Sequence, residues 1–278
     1  MQPPAVGFQG ERGAFSEDAV QVILPGSETV PLRTLRSVFD ALASDSIVYG
    51  VVPLENSVAG SINETYDLLA AGTATIVAEA LVAVDHALLA TPGTRVEDVR
   101  RVSSHPQALA QCDEYLAGLD AEHIPVYDTA GAAERVARGA QRGDAAIASE
   151  RAAEMYGLEV LARRIQTNPD NQTRFVAVAR ERPSLGPADK TSLLLVVGHR
   201  PGALYRSLRP FAERELNLSK LESRPLPGEP WRYRFYLDVE SGTDDPALGD
   251  ALDEVKAEAA LLQVLGSYPR WQGDPARP

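Results

Sequence analysis

The sequence predicts an α/β protein in two parts, a two-lobed domain followed by a smaller ferredoxin-like βαββαβ domain. Three observations predict it. From Ala5 to Ala179, short apolar runs of strand length alternate with stretches whose apolar residues fall at helical spacing. Pro183-Ser184-Leu185-Gly186-Pro187-Ala188-Asp189 then interrupts that pattern as a linker. Beyond it, the order strand, helix, strand, strand, helix, strand fits within about 90 residues.

A length of 278 residues agrees with two domains at about 150 residues each. The hydrophobic content of 44% and charged content of 24% are ordinary for a globular chain. A net charge of −12 repels nucleic acid and anionic membranes, so neither is an expected partner. An anionic small molecule has to be held by local positive charge against that field. Cys112 is the one cysteine, which excludes an intramolecular disulfide and fits a reducing compartment. No basic segment with an apolar run precedes Ala5, and no apolar run approaches about 18 residues. A cytoplasmic protein is the expectation.

Ala5 to Gln9 reads as a buried strand, and Gly10-Glu11-Arg12-Gly13 as a turn before a helix carrying Phe15, Ala19, Val22 and Ile23, with Ser16 as its N-cap. Strand, glycine loop and helix start offer backbone N–H groups to an anion, although Glu17 and Asp18 already occupy the positive end of the dipole. Leu35, Val38, Phe39 and Leu42 mark a second helix, and Ile47 to Val52 a second buried strand. Glu55, Asn56 and Ser57 follow that strand and fall at the carboxyl edge of a sheet, ahead of a helix around Ile62 to Leu69. They read equally well as a turn capping that helix.

The apolar stretch from Ala74 to Ala90 crosses to a second lobe. Ser104-His105-Pro106-Gln107 opens a helix running past Leu109, Gln111 and Leu116, with Ser104 and Gln107 as an S-x-x-Q capping box and Pro106 in the first turn. Ser104 and Gln111, seven apart, share one helix face, and His105 reads as structural. Ile124 to Tyr127 is a strand, Asp128-Thr129 caps a helix with Ala132 and Val136, and Ala145 to Ala148 leads into a helix through Ala152 and Tyr156. Val160 to Ile165 returns to Asn171-Gln172-Thr173-Arg174-Phe175, polar chemistry on the lip of the buried run Val176 to Ala179. In the last part, Thr191 to Val197 is a strand and Pro201 to Glu215 an amphipathic helix with Pro201 near its first position. Leu218 to Leu226 and Trp231 to Val239 are strands, Pro246 to Leu262 a helix, Val264 to Tyr268 a final strand, and the tail from Pro269 is expected to fray.

Six stretches in one order carry a resemblance: Gly10-Glu11-Arg12-Gly13-Ala14-Phe15-Ser16, Gly50-Val51-Val52-Pro53-Leu54-Glu55-Asn56-Ser57, Ser104-His105-Pro106-Gln107-Ala108-Leu109-Ala110-Gln111-Cys112, Asn171-Gln172-Thr173-Arg174-Phe175, Gly202-Ala203-Leu204 and Glu222-Ser223-Arg224-Pro225. Together they make the chain resemble monofunctional prephenate dehydratase with a C-terminal ACT regulatory domain, with no helical mutase segment ahead of Ala5. The resemblance implies a periplasmic-binding-protein-like (type II) catalytic domain over 1–182. Its lobes are approximately 5–80 with 166–182, and 81–165, around a cleft. A linker at 183–189 and the ACT domain at 190–278 follow. It also implies conversion of prephenate to phenylpyruvate, carbon dioxide and water on the route to phenylalanine, assembly as a homodimer or homotetramer, and an allosteric response to L-phenylalanine.

The residues can be matched to that chemistry. Prephenate carries two carboxylates and a ring hydroxyl that leaves as water, and aromatisation drives the reaction. No cofactor or metal is expected: the four histidines lack ligand spacing and no dinucleotide or P-loop fingerprint occurs. Arg174 is the expected carboxylate clamp. Backbone N–H groups around Gly13, Ala14, Phe15 and Ser16, with the side chains of Asn56, Ser57 and Ser104, are expected to share the second carboxylate, and Gln111 is a further expected substrate-binding residue. The resemblance credits Thr173 with helping the hydroxyl leave. An alcohol is too weak an acid to give up a whole proton, so a hydrogen-bond donor is expected, relaying from water or from Glu55. Glu55 either acts as an acid or orients its neighbours; orientation is preferred. Phe15 and Phe175 supply a drier wall for the departing carboxylate. The resemblance places Gly202, Ala203, Leu204, Glu222, Ser223, Arg224 and Pro225, from two chains, around phenylalanine. Tyr205 and Thr167 depart from the family pattern, where an aliphatic residue and an aspartate are common. Arogenate dehydratase, acting on the amino analogue, is the alternative. A non-catalytic amino-acid sensor is a distant one, opposed by the intact Thr173, Arg174, Glu55 and Asn56.

Overall fold

The structure, a computed structural model, describes residues 3–139, 141–181 and 183–277. The elements run β1 (Ala5–Gln9), α1 (Phe15–Ile23), β2 (Glu28–Leu32), α2 (Leu35–Ala43), β3 (Tyr49–Asn56), β4 (Gly60–Ser61), α3 (Asn63–Ala70), β5 (Thr75–Ala83) and β6 (Ala87–Ala90). They continue with β7 (Arg101–Ser104), α4 (Pro106–Gln111), α5 (Asp113–Leu116), β8 (Glu122–Pro125), α6 (Thr129–Gly139), β9 (Asp144–Ala148), α7 (Glu150–Tyr156), β10 (Glu159–Ala162) and β11 (Gln172–Ala179). The last are β12 (Lys190–Val197), α8 (Ala203–Glu213), β13 (Leu218–Pro225), β14 (Tyr233–Val239), α9 (Pro246–Glu258) and β15 (Ala259–Tyr268).

By internal contacts the chain forms two compact units. The first holds residues up to Thr65, Ala80–Phe175 and those from Gly273; the second holds Tyr66–Glu79 and Val176–Gln272. β5 and β11 each pass from one unit to the other. The division therefore runs through strands, whereas the sequence suggested a break at the proline-rich linker. The expected boundary at Arg182 lies outside the described residues.

The first unit contains two sheets. In one, β2, β1 and β3 are parallel neighbours, β11 lies beside β3, and β4 folds back on β3. The other has the order β10-β6-β9-β7-β8, with β7 parallel to β8 and β9. The mixed pairing matches the strand–helix alternation, because helices cover faces that carry continuous apolar runs. Leu88, Val102, Ala145 and Ile147 pack against Ala108, Cys112 and Leu116 on one face. Leu89, Ala146 and Ala148 pack against Ala132, Val136 and Ala152 on the other. α2 starts at a capping box in which Thr34 and Ser37 bond each other's backbone, and it buries Leu35, Val38, Phe39 and Leu42.

The second unit has the order β13-β14-β12-β15, with β15 also meeting β5. Antiparallel pairing of β12 with both β14 and β15 gives the ferredoxin-like plan that the βαββαβ order implied. Leu193, Leu195, Phe211, Leu237, Leu248 and Val255 form its core.

Several local expectations need correction. Ser16 does not cap α1: Ala14 holds the N-cap position, and the Glu17 carboxylate takes the Gly13 N–H at 2.7 Å. β2 was absent from the sequence reading because its short run contains Pro31. β3 extends to Asn56, so Glu55 and Asn56 belong to the strand, and β11 begins at Gln172, so Thr173, Arg174 and Phe175 are strand residues. Ser104 ends β7 rather than opening α4; His105 is the N-cap, its Nδ1 accepting the Gln107 N–H at 3.2 Å, while Pro106 does occupy the first turn. α8 begins after Gly202, in the left-handed region, with Pro201 outside it. α9 stops at Glu258 because the residues after it pair along β12. The tail is held where Ala276 exchanges backbone bonds with Leu81 and Ala83.

Candidate functional site

A cavity of about 200 Å³ opens in the first unit. The end of β1 (Gln9, Gly10), the start of α1 (Ala14, Phe15, Ser16), Asn56 of β3, and Thr173 and Phe175 of β11 form one side. Val84 and His86 lie on it between β5 and β6. His105, Gln107, Ala108 and Gln111 come from the start of α4, and Tyr127, Asp128 and Thr129 from the start of α6. Both sheets of the unit contribute, at loops and helix starts following strands, where open α/β folds receive ligands.

Strand alternation sorts the residues. On β11, Thr173 and Phe175 line the cavity and Arg174 between them does not, because neighbouring strand residues point to opposite faces. Arg174 is buried instead with its Nη1 4.0 Å from Glu55 Oε2. Glu55 is likewise absent from the lining, next to Asn56, which is in it. Arg174, the expected clamp, and Glu55, expected to orient its neighbours or act as an acid, thus both lie outside the lining of the cavity.

Three other expectations change. The Ser104 hydroxyl is fully buried and donates to the Ile147 carbonyl at 2.7 Å, outside the cavity. Ser57 Oγ donates to the Asp170 carbonyl at 3.1 Å and accepts from Gln172 N–H, tying a turn to β11. Gly13 is outside the lining, its N–H taken by Glu17 and its carbonyl by Ser149 Oγ at 2.8 Å.

Asn56, Thr173, Gln111, Ala14, Phe15, Ser16 and Phe175 are brought together as expected. Asn56 Nδ2 donates to Asn171 Oδ1 at 2.9 Å and to Thr173 Oγ1 at 3.0 Å. Its Oδ1 accepts from the backbone of Val58 and Ala59, and from Gln111 Nε2 at 3.3 Å. Gln111 Oε1 accepts from Asn171 Nδ2 at 3.1 Å and meets His86 Nε2 at 2.9 Å. Thr173 Oγ1 accepts from Asn56, which leaves its own hydrogen to donate.

The cavity's charge is unusual for a site expected to hold a dianion. Its lining includes the carboxylate of Asp128 and no lysine or arginine among the described residues. Both imidazoles favour neutrality. Burial drives the His86 pKa down, opposed by its bond to Gln111 and by Asp85; burial likewise lowers that of His105, opposed by Asp128. Hydrogen-bond donors come instead from the start of α1, although Glu17 and Asp18 in its first turn oppose the positive end of the dipole. The N–H groups of Phe15 and Ser16, in the first turn of α1, have no acceptor among the described residues. His105 accepts at Nδ1 from Gln107, so the neutral ring carries its hydrogen on Nε2.

His86, Gln107, Tyr127, Asp128 and Thr129 were missed as site residues, and His105 was read as structural only. The polar pair Asp85-His86 interrupting the apolar stretch from Ala74 to Ala90 is the available signal for His86. Thr167 donates to Asp113 Oδ1 at 3.0 Å and lies beside Gln111 in a second cavity of about 310 Å³.

In the second unit, the loop Val197–Tyr205 encloses a cavity of about 480 Å³ that includes Gly202, Ala203 and Leu204. Tyr205 is well exposed at its rim. Glu222, Ser223, Arg224 and Pro225 lie on β13 and do not line this cavity.

Residues 6–183 match the prephenate dehydratase family. Arogenate dehydratase/prephenate dehydratase 2, chloroplastic, of Arabidopsis thaliana is 43% identical over 275 residues, covering 95% of this chain and 72% of that protein. Arogenate dehydratase 2 of Petunia hybrida is 42% identical, over 96% of this chain and 72% of that protein. The crystal structure of prephenate dehydratase from Arthrobacter aurescens in complex with L-Phe is 33% identical, with a TM-score of 0.87 over 98% of this chain and 92% of that chain. A structure described as GqqA, a novel type of quorum quenching acylase, is 36% identical, with a TM-score of 0.86 over 95% and 97% of the two chains. The cytoplasmic expectation does not stand, because relatives in Arabidopsis thaliana are named as chloroplastic. A single cysteine excludes an intramolecular disulfide and does not separate one compartment from another.

Proposed function

The chain belongs to the prephenate dehydratase family, and from that premise we propose that it converts prephenate to phenylpyruvate, carbon dioxide and water under control by L-phenylalanine. The observation that carries the reading is the bond from Asn56 Nδ2 to Thr173 Oγ1. It occupies an acceptor site of the hydroxyl and turns the hydrogen toward the cavity. In the reaction, the electron pair of the bond to the departing carboxylate moves into the ring as carbon dioxide forms. The ring aromatises and the carbon–oxygen bond at the hydroxyl breaks. A hydrogen bond from Thr173 to that oxygen strengthens as negative charge builds on it, while a proton from solvent completes the water.

The remaining groups divide between anchoring and excluding water. The Phe15 and Ser16 amides and His105 Nε2–H are donors suited to a carboxylate. Phe15 and Phe175 provide apolar surface for the carboxylate that leaves as a neutral molecule.

A second reading, arogenate as substrate, is favoured by Asp128. Arogenate carries an ammonium where prephenate carries a carbonyl, and a carboxylate in a cavity lined by no arginine or lysine among the described residues is suited to receive it. Relatives named for arogenate agree. For the effector, the loop Val197–Tyr205 receives L-phenylalanine, with Glu222–Pro225 supplied by a second copy in a homodimer or homotetramer. Incubating the purified protein with each substrate, with and without L-phenylalanine, tests all of this. Phenylpyruvate from prephenate supports the main reading, phenylalanine from arogenate the second, and neither product overturns both.

A further inference from the structure

Resting on the dehydratase reading above, we propose that His86 is a positioning residue for Thr173, acting through Gln111 and Asn56. The assignment starts at two backbone groups whose polarity is beyond choice. The N–H groups of Val58 and Ala59 point at one terminal atom of Asn56, at 3.1 and 2.9 Å. An N–H can only donate, so that atom is Oδ1. The other is Nδ2, which faces Asn171 Oδ1, the Gln172 carbonyl and Thr173 Oγ1.

Each next step follows by the same logic. The Gln111 atom 3.3 Å from Asn56 Oδ1 must be a donor, Nε2. Its partner Oε1 therefore faces Asn171 Nδ2 and, at 2.9 Å, His86 Nε2. An amide oxygen has no hydrogen, so His86 Nε2 must carry one. The result is a one-directional series: His86 donates to Gln111, Gln111 to Asn56, Asn56 to Thr173, and Thr173 into the cavity. Series of this kind polarise one another and hold a single orientation.

The surroundings keep the ring in place. Its backbone N–H donates to Gln166 Oε1 at 2.9 Å and its carbonyl accepts from Ile165 at 2.9 Å. Phe15, which also lines the cavity, meets the ring edge-on with centroids 5.7 Å apart. His86 is almost fully buried, and its Nδ1 has no partner. Only the Nε2–H form satisfies Gln111. With the opposite tautomer, two lone pairs face each other. Flipping Gln111 and Asn56 to relieve that meets the opposition of the Val58 and Ala59 amides.

Turnover by wild type, His86→Leu and His86→Gln, with kcat and KM measured separately, tests the role. His86→Leu lowers kcat on the order of tenfold or more, with KM within about threefold, as expected for a lost orientation. His86→Gln, whose amide nitrogen reaches the Nε2 position, restores most of the loss. In a Thr173→Ala background His86→Leu adds less than about twofold, because the two act as one unit. Nitrogen-15 NMR of histidine-labelled wild-type protein shows the hydrogen on Nε2. Unchanged kcat in His86→Leu, no recovery in His86→Gln, full additivity with Thr173→Ala, or a hydrogen on Nδ1 overturns the role. If the leucine variant does not fold, the nitrogen spectrum decides alone. Wild-type protein inactive on both prephenate and arogenate overturns the dehydratase reading and the role with it.

Discussion

Asn56 Nδ2 stands 3.0 Å from Thr173 Oγ1, joining two neighbouring strands whose residues are 117 apart in sequence. The bond fills an acceptor position of the threonine oxygen and leaves the hydroxyl hydrogen to donate elsewhere. Thr173→Ala removes that donor from an alternating strand without disturbing the core on its far side. kcat falls by at least about 10²-fold while the melting temperature changes little, and Thr173→Ser keeps most of the activity. Steady-state kinetics and a thermal melt check both halves.

Asn56→Asp tests the direction of the bond. A carboxylate still accepts from Val58 and Ala59, so the turn persists, but it cannot donate to Thr173. It accepts the threonine hydrogen instead and turns it away from substrate. The expected loss in kcat is on the order of 10²-fold, comparable to losing one donor to a developing negative charge. Turnover near the wild-type rate would show that the bond's direction is irrelevant.

Arg174 lies beside Glu55 and outside the cavity lining, so its replacement should show in stability before substrate binding. Arg174→Met is expected to lower the melting temperature by several degrees, about 2–4 °C for each kcal/mol lost in a chain of this size. KM should shift by less than about threefold. A tenfold rise in KM at unchanged stability would return Arg174 to the role of clamp.

Asp128 sets the charge of the cavity wall and accepts the Gly131 N–H at 2.5 Å, a cap that an asparagine keeps. Asp128→Asn should therefore favour the more negative substrate. The ratio of kcat/KM for prephenate over arogenate is expected to rise about fivefold or more, roughly 1 kcal/mol of lost electrostatic discrimination. A ratio unmoved by the substitution places the ammonium elsewhere.

Asp18 makes stability depend on pH. Burial raises its pKa from 3.8 to about 6, against the pull of Arg151, whose Nη1 sits 2.6 Å from Oδ1. The folded state thus holds the proton more tightly than the unfolded chain. The stabilisation is fully present below about pH 3.8 and is lost as pH rises through about 6. Asp18→Asn should remove this component, so that the variant gains on wild type between pH 4 and about 7. Parallel melting curves for the two proteins across that range would remove Asp18 as the source.

Periodicity carried the α/β alternation and the βαββαβ order, because both are written in local patterns; the division into two compact units, which runs through β5 and β11, is not. The capping box of α2 arose at Thr34 and Ser37 from the same local rules, although it was not singled out. Asn56, Gln111, Thr173, Phe15 and Phe175 were named as site residues from their motifs, and the structure collects them in one cavity. The parity of β11 was also available: once Thr173 faces inward, Arg174 must face outward. The apolar run that marks the strand in sequence begins only at Val176, four residues after the strand itself, so the pattern hides that parity.

What the tertiary structure alone decided is which polar groups are already occupied. Ser104, Ser57 and Gly13 carry suitable atoms, but Ile147, Asp170 and Ser149 take them across 43 to 136 residues of sequence. His86 shows the converse, since no motif of the sequence marks it and its partner Gln111 is 25 residues away. Hydrogen-bond direction along a network is set by the group whose polarity cannot change, here the backbone of Val58 and Ala59. The sequence by itself determined the elements and the chemical types at their ends. Only the folded chain could set which of those ends meet, because burial and pairing are properties of residues distant in sequence.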